Sequence, residues 1–256
     1  SREIISSGGI AKAIRVDVRH EDSIKSLVDD TISTFGRLDV LVYNSGAIHW
    51  GPLPSTPFKK FRLMQQVNPE GLYATIQACY PHLCRSCSES EGSRIVVVSP
   101  PIYSRFFRGK TAYSIGKVGM SVLTKGLAAD IDRDGSLRGR LSISSVWPAA
   151  AIQSAATARF EREDATLASE LRRPTIFSDA VRAIVRAPAG LTNGGLFLDE
   201  DFLRRHAGVT DFSAYSLVPG TSPRRIMPVS LPDLTVAEQD DEGRRYRHQS
   251  GRVGKL

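Results

Sequence analysis

Val40-Leu-Val42 and Ile95-Val-Val-Val98 are apolar at every position. A strand with one solvated face alternates apolar with polar residues, so these unbroken runs predict strands covered on both faces. Ala13–Val18, Leu38–Tyr43, Arg94–Val98 and Leu141–Val146 are predicted strands, with Gly195–Leu198 as a shorter fifth. Between them lie segments of helical length: Asp22–Phe35, Phe58–Cys79, Thr111–Ile131 and Ser178–Arg186. Strands alternating with helices predict a parallel sheet with right-handed crossovers, doubly wound into three α/β/α layers. The chain of 256 residues is long enough for one such domain. From about Pro228 the pattern gives way to Pro, Asp, Glu, Arg and Gly. Residues 1–228 are therefore predicted to form the domain and residues 229–256 a flexible tail.

The formal charge of +7 bears on partners through its distribution. Residues 229–256 hold five Lys/Arg and five Asp/Glu, so the excess is spread over residues 1–228. With no basic block, no zinc-finger spacing and 7% aromatics, no nucleic-acid partner is expected. A dispersed positive field suits anionic small molecules equally well. No run approaches the length of a membrane span. Three cysteines make no disulfide framework and no leader follows Ser1, so the expected compartment is the cytoplasm. Peroxisome and mitochondrion are the alternatives; the terminal Gly-Lys-Leu256 is a poor match to the peroxisomal Ser-Lys-Leu. Cys79, Cys84 and Cys87 have the spacing of an iron–sulfur site, but a fourth cysteine is lacking and the five histidines show no metal spacing. No metal is expected.

Tyr113-Ser-Ile-Gly-Lys117 opens a predicted helix, and a spacing of four puts both side chains on one face. A phenol with a pKa near ~10 is a poor acid or base at neutrality. A nearby ammonium favours the phenolate, making the pair a proton donor and acceptor. An ordinary helix turn is the other reading of the same spacing. Pro69 has no N–H for the carbonyl of Gln65, so a kink and a free acceptor are expected within Phe58–Cys79. That kink is either a plain bend or a device presenting Asn68 and a water to Lys117. Arg105, Arg108 and Lys110 precede Tyr113. They read either as solvated loop residues or as holders of an anionic, lipid-like substrate such as an acyl thioester.

Val16-Asp17-Val18, Leu38-Asp-Val-Leu-Val42, Asn44-Ser-Gly-Ala47, Asn68 and Tyr113-x-x-x-Lys117 follow in this order along the chain. From Ile14 to Leu198 they resemble the short-chain dehydrogenase/reductase family. The resemblance implies a Rossmann-like fold and an NAD(P) cofactor, NADP placed ahead of NAD. It implies that Tyr113 is the general acid/base, that Lys117 binds the nicotinamide ribose and lowers the pKa of Tyr113, and that Asn68 holds a relay water. Asp17 is implied beside the adenine, and Asn44, Ser45 and Gly46 along the cofactor, with Tyr43 in place of the usual first asparagine. Ile152 is implied at the nicotinamide amide, Ser154 at the phosphates, and Ala155–Pro174 as the substrate lid. A homodimer or homotetramer is implied, pairing through the helices of Phe58–Cys79 and Thr111–Ile131.

Two departures accompany the resemblance. The family's catalytic serine stands thirteen residues before the tyrosine, where this chain has Pro100. The adjacent Ser99 is then the candidate, re-aimed by an irregular strand end. Val98-Ser-Pro-Pro101, Trp147-Pro148 and Phe197-Leu-Asp-Glu-Asp201 are similar to the hydroxysteroid dehydrogenase-like branch. The glycine-rich turn that holds pyrophosphate in dinucleotide folds is missing upstream of Asp17, where only Gly8-Gly9 occurs. The first two strands are expected to be absent, as in a truncated product or incomplete gene model. The expected activity interconverts a carbonyl and a secondary alcohol, on a lipid-like substrate. The alternative is a non-catalytic or truncated member that binds a ligand or a partner.

Overall fold

Four strands hydrogen-bond side by side in the order β1 (Val40–Tyr43), β2 (Ser93–Val98), β3 (Leu141–Trp147) and β4 (Leu196–Leu198), all parallel. They come from a computed structural model of the chain, which describes residues 1–89, 92–158, 162 and 164–235. The register sets Tyr43 beside Val97, Val98 beside Val146, and Trp147 beside Leu198. The helices are α1 (Arg2–Ser6), α2 (Glu21–Phe35), α3 (Phe58–Gln65), α4 (Gly71–Glu89), α5 (Thr111–Arg133), α6 (Thr175–Arg186), α7 (Ala189–Thr192) and α8 (Asp199–His206).

Alternate residues of the strands feed two cores, as a two-residue side-chain period requires. Ile95, Val97 and Ile143 pack with Val28 of α2, Leu72 and Leu83 of α4, and Met120 and Ile131 of α5. Val96 and Val146 pack on the other face with Ile176, Ala180 and Ile184 of α6 and Phe202 of α8. The spacing of four along α6 puts its three residues on one stripe facing the sheet. The unbroken apolar runs are thus covered on both sides, and the three-layer α/β/α arrangement is present.

Ala13–Val18 corrects one expectation, for it is not a strand. A strand needs a neighbour for its N–H and C=O groups, and among the described residues none pairs with it. The backbone turns instead on local bonds: Asp17 N–H donates to Ser23 Oγ at 2.9 Å, and the Asp17 carbonyl accepts from His20 N–H at 3.1 Å.

The helix expected at Phe58–Cys79 is also different. It is broken into α3 and α4 by a π-turn at Gln66–Glu70, and α4 continues to Glu89. Pro69, lacking its N–H, sits inside the widened turn, where Gly71 N–H reaches back five residues to Gln66 O. The turn is tied to the sheet by Tyr43 Oη, which donates to the Val67 carbonyl at 2.6 Å. A Cβ at position 71 would lie 2.6 Å from Tyr43 Oη and 3.0 Å from the carbonyls of Gln66 and Val18. Glycine is required there by close approach.

The sheet places the carboxyl ends of β1, β2 and β3 together, the edge at which open α/β sheets bind ligands. Of the tail expected at 229–256, residues 236–256 lie outside the described residues, and with them Gly-Lys-Leu256. Among the described residues no helix is long and apolar enough to cross a membrane.

Candidate active site

Tyr113, Lys117 and Ser121 follow each other at single helical turns along the buried face of α5. Lys117 is 4% exposed, and its Nζ donates to the Val98 carbonyl at 2.8 Å, at the carboxyl end of β2. The ammonium lies 5.6 Å from the centroid of the Trp147 ring, at the end of β3. It carries three N–H bonds, and only the one to Val98 has an acceptor among the described residues. Burial lowers its pKa to about 8. Tyr113, also 4% exposed, packs against Phe106, whose ring stands edge-on to Trp147 at 5.9 Å. The Tyr113 hydroxyl has no hydrogen-bond partner among the described residues. Burial pushes that phenol well above its ordinary range. The lowering expected from Lys117 is therefore reversed in this structure, because the ammonium is directed to Val98 and desolvation dominates at the phenol.

The π-turn supplies the second wall. Asn68 is fully buried, its Oδ1 accepting from Ala47 N–H at 2.9 Å and its Nδ2 donating to the Ala47 carbonyl at 3.0 Å. The side chain expected to hold a relay water makes a loop clamp, with one bond at each of its polar atoms. That clamp draws Asn44-Ser45-Gly46 over the lysine. A Cβ at Gly46 would lie 3.3 Å from Lys117 Nζ and 3.6 Å from Asn68 Oδ1. On the helix side, a Cβ at Gly116 would lie 3.4 Å from Asn68 Cβ, so glycine lets α5 close onto the turn. Tyr113, Lys117, Asn68 and Gly46 are brought together.

Other expected residues are placed elsewhere. Ser99 is buried and accepts from Ser121 Oγ at 2.9 Å, two helical turns along α5 from Tyr113. Its backbone N–H is bound to Val97 O. The re-aiming toward Tyr113 that a catalytic role needs is not what the structure shows. Asp17 pairs its carboxylate with the Arg19 guanidinium, which holds it far below the ordinary carboxylate range. Asn44 is exposed and Ser45 partly buried. Ile152 is bridged to Arg172 and packs with the α6–α8 core, while Ser154 N–H donates to Thr157 Oγ1 at 2.8 Å. Arg105 reaches the Ile226 carbonyl at 3.4 Å. Cys79 and Cys87 are core residues of α4.

A family profile described as short chain dehydrogenase matches residues 2–164. The chain belongs to the short-chain dehydrogenase family. Within it the chain falls with the hydroxysteroid dehydrogenase-like branch: it is 36% identical over 220 residues to hydroxysteroid dehydrogenase-like protein 2 of Danio rerio. That match covers 85% of this chain and 50% of the relative, so the chain spans about half the length of the curated relatives it matches. Among solved structures, a putative dehydrogenase from Xanthomonas campestris is 34% identical with a TM-score of 0.75. A short chain dehydrogenase from Mycobacterium thermoresistibile is 31% identical with a TM-score of 0.77. Each covers 91% of this chain and 79% of the solved one.

Short-chain dehydrogenase membership makes a nicotinamide dinucleotide the group to test against these residues. The nicotinamide end fits: Lys117 is a buried ammonium with two donors unspent, beneath a glycine where a Cβ would crowd it. The pyrophosphate end has no counterpart among the described residues. Gly8 and Gly9 follow a five-residue helix rather than a strand, and Gly9 lies against Ile4.

Sequence reasoning assigned no site role to Ser121, nor to Ala47 and Trp147, which entered only as parts of motifs. Ser121 was reachable, since it continues the 113, 117 spacing by one turn. Trp147 directly follows the predicted strand Leu141–Val146, where ligand-facing residues of such sheets collect. Ala47 acts through its backbone, which leaves no trace in residue type.

Proposed function

We propose that this chain is an NAD(P)-dependent oxidoreductase that interconverts a carbonyl and a secondary alcohol on a lipid-like small molecule. The observation that carries the reading is the side chain of Tyr113, buried and with no hydrogen-bond partner for its hydroxyl among the described residues, one helical turn from the buried Lys117 ammonium. When bound, the nicotinamide supplies or accepts a hydride. Tyr113 Oη gives its proton to the carbonyl oxygen in reduction and takes one from the alcohol in oxidation. Its raised pKa keeps it protonated at neutrality, the form a reduction needs. Lys117, Asn44, Ser45 and Gly46 are the residues that hold the cofactor, and the Lys117 charge stabilises negative charge developing at Tyr113. Phe106, Trp147 and Met64 exclude water around the phenol. The exposed apolar side chains of Tyr73, Ile115 and Val122 on α4 and α5 support pairing with a second copy.

Thermal unfolding with saturating NADH and with saturating NADPH is the direct test of cofactor binding. A ligand at a hundred times its Kd adds about 2.7 kcal/mol. Turnover of ketones is then compared with Tyr113→Phe. Because the hydroxyl has no partner to lose, the variant is expected to melt like the parent while its turnover falls at least about 100-fold. Equal turnover in both removes Tyr113 from the reaction.

A second reading, a ligand- or partner-binding member without catalysis, is favoured by one observation. Ser99, the candidate to polarise a carbonyl, is turned to Ser121. Cofactor-induced stabilisation with no turnover on any ketone or alcohol is the outcome that supports it.

A further inference from the structure

A cation with no carboxylate partner among the described residues borders the aromatic cluster around Tyr113. Lys110 Nζ lies 4.2 Å from the centroid of the Phe106 ring and 5.7 Å from that of Trp50. The same Phe106 ring packs on Tyr113 at 6.3 Å and on Trp147 at 5.9 Å. Among the described residues no carboxylate lies within ion-pair distance of Lys110. Partial burial holds its ammonium below the ordinary lysine range, so the charge is carried at a cost. The segment Arg105-Phe-Phe-Arg-Gly-Lys-Thr-Ala-Tyr113 contains no acid, and of its three cations Arg105 reaches away to the Ile226 carbonyl.

Aromatic faces attract a cation but offer it no hydrogen-bond acceptor. An anion arriving at Lys110 adds a charge-assisted bond that the ring contacts cannot supply. Lys110 and Tyr113 stand three residues apart at the start of α5, about 5 Å along its axis. Phe106 fills the interval between them with apolar surface. A molecule that reaches both carries an anion at one end, a few methylenes, and then the carbonyl.

We propose that Lys110 anchors the carboxylate of an oxo acid whose carbonyl is presented to Tyr113, making anionic oxo compounds the substrate class of this site. The inference rests on the oxidoreductase reading of Tyr113 and goes further, by naming what the far end of the substrate must be. Of the three cations in the segment, Lys110 is the one the structure sets over the ring that touches Tyr113.

The chain has two tryptophans, and both lie beside lysines of this site, Trp50 at Lys110 and Trp147 at Lys117. Their fluorescence therefore reports binding without any turnover. The probes are 4-, 5- and 6-oxodecanoate, each compared with its methyl ester, which keeps the chain and carbonyl and loses the charge. At least one acid is expected to bind about tenfold more tightly than its ester, the size of effect one charge-assisted bond produces. Lys110→Met is expected to bring that ratio to about one and Lys110→Arg to restore most of it. An acid-to-ester ratio near one in the parent protein overturns the proposal, and so does a ratio that Lys110→Met leaves unchanged, or no binding by any acid. The parent ratio decides even where Lys110→Met folds poorly. Turnover of the same compounds with NADPH separates the two readings. A Lys110-dependent preference for acids without turnover leaves the anion site standing and removes the oxidoreductase. Turnover of 5-decanone as fast as of the oxo acids, with no preference in binding, does the reverse.

Discussion

Asn68 and Ala47 exchange two hydrogen bonds, one in each direction, between a fully buried side chain and the backbone of the loop after β1. The exchange fixes Gly46 against Lys117, so a residue inside the π-turn of one helix sets the roof over a lysine of another. Asn68→Ala strips Ala47 of both partners. Leaving a partly buried backbone group unsatisfied costs about 1–3 kcal/mol, and water reaching the loop moderates the second loss. The expected destabilisation in urea is about 2 kcal/mol, and Asn68→Asp, which sets an oxygen against the Ala47 carbonyl at a fully buried position, is expected to lose at least as much. A loss below about 0.5 kcal/mol in Asn68→Ala would show that the clamp does not hold the loop.

Ser99 and Ser121 form a buried pair whose other acceptor is the Pro100 carbonyl, 2.6 Å from Ser121 Oγ. A hydroxyl that polarised a reacting carbonyl would be worth about 10²–10³ in rate. A hydroxyl that only completes a buried network is worth about 1 kcal/mol of stability. Ser99→Ala is expected to lower stability by about that amount and to change kcat/KM by less than about tenfold. A fall of a hundredfold with an unchanged melting temperature would put Ser99 back at the substrate.

Lys117 gives the proposed reaction its pH dependence. Burial lowers its pKa to about 8, so the ammonium is present below that pH and lost above it. Tyr113, raised by burial, stays protonated over the same range. Reduction is therefore expected to hold steady to near pH 8 and then fall, with the limb in kcat/KM set by the free enzyme. An arginine does not lose its proton in this range, so Lys117→Arg is expected to abolish the limb while lowering the plateau. A limb that survives in Lys117→Arg assigns it to another group.

Four of the five expected strands were legible in the sequence, most plainly Val40–Val42 and Ile95–Val98, whose composition alone demands two covered faces. Tyr113 and Lys117 were legible for a similar reason, since helix geometry puts a spacing of four on one face whatever surrounds it. Ala13–Val18 was misread because pairing is a property of two segments and its residue pattern describes only one. The helical segment was expected to end at Cys79, yet the helix carries Pro81 and runs on to Glu89. Nothing in Ser99 or Ser121 foretells their contact, which joins residues 22 apart through the packing of β2 on α5. The lowering of the Tyr113 pKa was inferred from charge alone, and burial, a tertiary property, carries the opposite sign.

Asp199 begins α8 beneath the loop that follows Trp147. Its Oδ1 accepts from Ala149 N–H at 2.8 Å and from Glu200 N–H at 2.7 Å, and the residue is 1% exposed. Burial pushes its carboxyl up to about 7, against the pull of the two N–H donors, with Glu200 adding to the rise. The folded chain therefore binds this proton more tightly than the unfolded chain does. Stability from the group is fully present below the unfolded value near ~4 and is lost as pH rises through about 7. Asp199→Asn keeps an oxygen for both N–H groups and carries no charge at any pH. Its urea midpoint is expected to lack this decline, so the variant gains on the parent between pH 4 and 8, by about 1–4 kcal/mol at the alkaline end. Parallel midpoint curves for the two proteins would mean that the carboxylate is ionised in the folded chain and that the two backbone donors, with Arg172 nearby, outweigh its burial.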